Sequence, residues 1–109
     1  MDFFNFLKKD DIFALESKDN RKALTTEWKK KGLSKDKFAF LTAKQYEILF
    51  GTEEKTKETL SHIEIIILSQ CDREEAEKLK NIHSKMSTLE LLRSLQNTAI
   101  KVAMERGLQ

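Results

Sequence analysis

The sequence predicts an all-α single domain, a small bundle of five or six helices over residues 1–109. Three observations carry that prediction. There is no proline in 109 residues, and proline inside a helix costs about 3 kcal/mol. The three glycines, Gly32, Gly51 and Gly107, each follow a stretch of helical pattern, where a residue free to adopt a left-handed conformation closes a helix end. Capping patterns and apolar stripes of helical period fill the intervals between these stops.

Residues 2–16 hold two apolar clusters, Phe3, Phe4, Phe6, Leu7 and then Ile12, Phe13, Leu15, separated by Lys8-Lys9-Asp10-Asp11. They read as one helix, or as two short ones with Asp11 as a cap. The next element, 20–31, takes Asp19 or Asn20 as its N-cap and ends at Gly32; its apolar face is thin, with Ala23, Leu24 and Trp28. After a polar turn at 32–37, Thr42 and Gln45 form a capping box, in which each side chain satisfies a free backbone donor. The helix that it opens, 43–50, places Tyr46, Leu49 and Phe50 near one face and stops at Gly51.

Between 52 and 71, Leu60, Ile63, Ile67 and Cys71 fall at helical spacing with Ile66 beside them. The run Ile65-Ile66-Ile67-Leu68 suits a buried strand as well. Helix is favoured, because no second alternating segment is available to pair with a strand. An element apolar on most sides belongs at the centre of a fold or at an oligomer interface, so Leu60, Ile63, Ile66 and Ile67 are candidate interface residues of a homodimer. Asp72-Arg73-Glu74-Glu75 reads as a further helix start, with Ala76, Leu79 and Ile82 inward. Ser87-Thr88-Leu89-Glu90 is a full capping box, and Met86 and Leu91 occupy the hydrophobic-staple positions around it. The final helix, 88–106, carries the stripe Leu92, Leu95, Ala99, Val102.

Composition narrows the class. The 39% hydrophobic and 35% charged content fits a small bundle with well-solvated outer faces. No apolar run approaches the roughly 18 residues of a membrane span, and the N-terminus has an acid where a secretion signal carries positive charge. A single cysteine, Cys71, cannot form an internal disulfide, so a cytoplasmic protein is expected. The net charge of +2 is unevenly spread: residues 1–51 carry 11 basic and 8 acidic side chains, residues 52–109 carry 9 and 10. Most of the excess lies in 29–37, where five lysines face one aspartate. Such asymmetry points to an anionic partner.

Catalytic signatures are sparse. The glycines are too far apart for a phosphate loop. His62 and His83 are 21 residues apart and neither belongs to a His-Glu-x-x-His motif. Cys71, His83 and nearby acids fall short of the paired ligands that structural zinc uses, and Cys71 with His83 lacks an evident orienting group for a nucleophile pair. The carboxylate pairs Glu53-Glu54 and Glu74-Glu75 sit at helix starts, where acids complement the macrodipole. No catalytic residue, metal or cofactor is expected. The best physical candidate for binding is Trp28 with Lys29, Lys30, Lys31, Lys35 and Lys37, because lysines neutralise phosphates and an aromatic stacks on a base. The plainer reading, which is favoured, has the lysines complementing a helix C-terminus and Trp28 in the core.

Three stretches together carry a family resemblance. Ala23-Leu24-Thr25-Thr26-Glu27-Trp28-Lys29-Lys30-Lys31-Gly32 is followed by Ala39-Phe40-Leu41-Thr42 and Phe50-Gly51, and later by Met86-Ser87-Thr88-Leu89-Glu90-Leu91-Leu92 running into Asn97-Thr98-Ala99. This order resembles the region after the N-terminal DNA-binding domain in phage BRO-type antirepressors and the DNA-damage-inducible protein D group. The resemblance implies a mobile-element or DNA-damage-response protein that acts by association, without catalysis. The expected function is therefore a non-enzymatic phage- or prophage-type regulator, of antirepressor, DNA-damage-response or anti-defence type, that binds a protein partner. The alternative is a small nucleic-acid-binding module using the basic run 29–37.

Overall fold

The computed structural model describes residues 9–108. Among them the fold is all-helical, without a strand: α1 (Lys9–Leu15), α2 (Ser17–Lys30), α3 (Phe38–Phe50), α4 (His62–Lys80) and α5 (Thr88–Glu105). Short 3-10 turns at Lys35–Lys37 and Lys57–Thr59 lead into α3 and α4. The apolar cluster Phe3–Leu7 lies outside the described residues.

Helix α4 is the axis of the bundle. Helices α1, α2, α3 and α5 all pack on it, and α3 also packs on α5. α2 runs beside the second half of α4 in the same direction: the Asn20 amide donates to Ser69 Oγ at 2.8 Å near one end, and Lys31 shares a pocket with Lys80 at the other. α5 returns antiparallel to α4. Its Thr98 and Ser94 hydroxyls donate to the buried Glu75 carboxylate at 2.6 and 2.7 Å, while Arg106 reaches Gln70 at 2.7 Å. The core between these helices is built from Leu24, Trp28, Leu41, Leu79, Leu95 and Val102, all fully buried.

The last helix forms where its capping box and stripe place it. Glu90 N–H donates to Ser87 Oγ at 3.1 Å and Ser87 N–H to Glu90 Oε1 at 3.0 Å. A second reciprocal box, Ser61 with Glu64, starts α4. Gly51 closes α3 at φ +76°, a conformation that a side chain would strain.

Four expected boundaries are corrected. Asp11 lies inside α1 and does not cap a second helix. α2 starts at Ser17, ahead of Asp19 and Asn20. α3 starts at Phe38, so Thr42 and Gln45 are inside it and form no box. α4 runs unbroken through Asp72, so the isoleucine run is helical and no new helix opens there.

Candidate functional site

The main concavity is a cleft of about 630 Å³ between α2, α3, the 51–60 connection and α4, well within the range of small-ligand and peptide-anchor sites. Its wall is apolar: Phe38, Ala39, Ala43 and Tyr46 come from α3, Leu60 precedes α4, and Ile65 and Leu68 lie on it. These side chains reach one space because α3 presents 39, 43 and 46 on one face, a 4-3 spacing, while α4 presents 65 and 68.

The floor is polar and closed on itself. Arg21 Nε meets Asp72 Oδ2 at 2.9 Å, with Asp72 only 1% exposed. The same guanidinium donates to Gln45 Oε1 at 2.7 Å and Thr42 Oγ1 at 3.2 Å, and Gln45 Nε2 donates to Asp72 Oδ1 at 2.8 Å. Burial pushes the Asp72 carboxyl up from its ordinary range, against the pull of the Arg21 charge and the Gln45 hydrogen bond. Burial likewise pushes up the Tyr46 phenol. At the rim, Lys55 pairs with Glu64 at 3.1 Å and Glu53 with Lys44 at 2.8 Å. Lys18 and Lys57, which also line the cleft, form no salt bridge among the described residues.

The residues singled out from the sequence are dispersed by the fold. Trp28 is wholly inside the core, its ring 5.4 Å from that of Phe38, so it cannot stack on a base. Arg21 covers its ring at 5.9 Å. Lys31 is buried too, against Glu27 at 3.2 Å; burial opposes ionisation of Glu27, but the Lys31 and Lys30 charges prevail and hold its carboxyl below the ordinary range. Lys29, Lys30, Lys35 and Lys37 are exposed. Leu60, Ile66 and Ile67 are buried by neighbours in the same chain, and of the four candidate interface residues Ile63 alone is exposed, at 56%.

Cys71 is buried in the middle of α4, where burial and the adjacent Asp72 charge push its thiol far up and away from thiolate chemistry. Its sulfur accepts from Gln45 Nε2 at 3.2 Å. His83 is exposed beyond the end of α4, so the two do not meet. Among the described residues no group of three or more His, Cys, Asp or Glu side chains is placed to hold a metal ion, and no helix is long and apolar enough to cross a membrane.

The cleft itself escapes a reading of motifs, since each lining residue is ordinary in its local sequence. The one available signal is a cluster of polar residues, Asn20, Arg21, Gln45 and Asp72, at positions facing apolar neighbours. Comparison with family models, curated proteins and solved structures finds no match.

Proposed function

We propose that this chain is a non-enzymatic regulator of phage or prophage type, working in the cytoplasm by binding a protein partner in the cleft between α2, α3 and α4. The observation that carries the reading is the pairing of an open apolar wall with a polar floor whose groups are already engaged. Both carboxylate oxygens of Asp72 are used, one by Arg21 and one by Gln45. That leaves the wall of Phe38, Ala39, Ala43 and Tyr46 as the surface on offer, which suits an apolar anchor of a peptide segment. The resemblance to the antirepressor and DNA-damage-inducible groups supports the same kind of action, by association.

The test is affinity capture from the native host with mass spectrometry, comparing the wild type with Ala39→Arg in the cleft and Ile100→Arg on the outer face of α5. Ala39 and Ile100 are both exposed, so neither change threatens the core. A stoichiometric protein retained by the wild type and by Ile100→Arg, but lost with Ala39→Arg, is the expected result. Retention by Ala39→Arg refutes the cleft as the docking site.

A further inference from the structure

The lysine run 29–37 is half of a larger basic surface. The segment between α4 and α5 folds back over the end of α2: Met86 N–H donates to the Lys31 carbonyl at 3.1 Å. Lys80 and His83 line a small pocket with Lys30 and Lys31. The stem of Lys85 passes Gly32, where an added Cβ would meet its Cδ at 3.4 Å, and Lys37 Nζ reaches Thr88 Oγ1 at 3.5 Å. Residues 29–37 and 80–88, distant in sequence, thus form one end of the molecule.

Charge is strongly concentrated there. These two segments contain seven lysines and one aspartate, a balance of +6, in a chain of net +2. The rest of the chain holds the remaining 13 basic and 17 acidic residues, a balance of −4. Lys31 is itself buried and is spent on the buried Glu27, which Lys30 also meets at 3.5 Å, so the exposed balance of the two segments is six lysines against Asp36, +5. Lys29, Lys35, Lys37, Lys80 and Lys85 form no salt bridge among the described residues.

We propose that this composite end is a sequence-independent binding surface for the phosphate backbone of nucleic acid. Its chemistry distinguishes that ligand from an acidic protein. Stable protein interfaces are anchored by buried aromatic, aliphatic or arginine side chains, and the exposed residues of these two segments are lysine, serine, asparagine, histidine, glycine and one aspartate, while the apolar Ile82 and Met86 are half-buried and packed against the core. Leu33 and Trp28 are buried beneath them. Lysine point charges with small polar donors match a surface of repeated phosphates, which is read for charge and position and not for base identity. The absence of arginine from both segments fits the same conclusion, since bidentate base reading is arginine's work.

The test is fluorescence anisotropy with a labelled duplex of mixed sequence, from about 50 mM salt upward. The proteins are the wild type, Lys29→Gln/Lys30→Gln, Lys80→Gln/Lys85→Gln and a control, Lys101→Gln. Lys101 lies thirteen residues along α5 from Thr88, about 20 Å away at the helical rise. Expected is binding that weakens steeply with salt, with each double variant reducing the slope of log K against log salt by about two, one for each lysine removed. Circular dichroism confirms the fold of each variant. No binding at the lowest salt overturns the proposal. So does an equal loss with Lys101→Gln, which signals diffuse attraction, or binding that Lys80→Gln/Lys85→Gln leaves unchanged. Binding of polyglutamate in place of the duplex assigns the surface to an acidic protein and overturns it too.

Discussion

At the residue scale the structure turns on four polar side chains, Arg21, Thr42, Gln45 and Asp72, which hold α2, α3 and α4 in register beneath the cleft. Asp72 is almost without solvent, and an ionised carboxylate taken from water is tolerated only when paired and hydrogen-bonded. Arg21 supplies the charge and Gln45 the second donor. Arg21→Met should therefore destabilise the protein by about 3–5 kcal/mol, the usual cost of removing one partner from a buried pair. Asp72→Asn in the same background keeps an acceptor for Gln45 and removes the stranded charge, so the double variant should be more stable than the sum of the single losses requires. Urea denaturation of the four proteins of this cycle measures the coupling. Strict additivity would show that Arg21 and Asp72 do not act as a pair. Trp28 illustrates the same scale from the apolar side: it is legible as core or as stacking platform from sequence, and the contact with Phe38 decides for the core.

At the scale of elements, helix starts are set by local capping only where the tertiary structure leaves the capping residues alone. Ser87 and Glu90 are exposed, their box forms, and α5 begins where the sequence puts it and ends within a residue of the expected 106. Ser61 and Glu64 form an equivalent box that the same pattern would have revealed. Asn20, Thr42, Gln45 and Asp72 are also residue types that cap helices, and the sequence pattern places each at a helix start. Each is instead drawn into the interior network, Asn20 to Ser69 and the others to Arg21 and one another. Cap and buried polar contact use the same chemistry, so sequence alone does not separate them. The boxes that do form carry a pH signature. The Ser87 backbone N–H, then its hydroxyl, hold the Glu90 carboxyl below its ordinary value of 4.5. A carboxylate with a depressed folded-state pKa contributes stability that is complete above the unfolded value and is lost as pH falls through the folded one. Glu90→Gln, which still accepts the Ser87 N–H but carries no charge, should unfold at a somewhat lower urea midpoint than the wild type at neutral pH, lose less stability on acidification below 4.5, and so approach the wild type there. An unchanged acid slope in the variant would show that the box contributes nothing ionic.

At the scale of the whole molecule, the all-helical class was legible because the absence of proline and the glycine stops exclude most alternatives, whereas the cleft was not, because it is a space between elements. Ala39, Ala43, Leu60 and Leu68 belong to three different segments, and only the packing of α3 beside α2 and α4 brings them together. The same packing buries three of the four residues expected at a homodimer interface. Surplus apolar surface around Leu60–Leu68 argued for a second copy, yet α4 is surrounded by the other four helices. Leu60, Ile66, Ile67 and Leu68 are consumed within one chain. Ile63 remains, exposed in the first turn of α4, and one isoleucine is far from the roughly 800 Å² per partner that a stable interface buries. The other exposed apolar side chains include Phe40 on α3 and Leu89, Ile100 and Met104 on α5; Ile100 and Met104 are neighbours one turn apart, and a few exposed apolar side chains are ordinary on a monomer. Light scattering at micromolar concentration should therefore return the monomer mass of 12.7 kDa, and Ile63→Lys should leave it unchanged. A dimer mass that falls to the monomer with Ile63→Lys would restore the N-terminal turn of α4 as an interface, and would mean that a face invisible in the single chain completes the assembly.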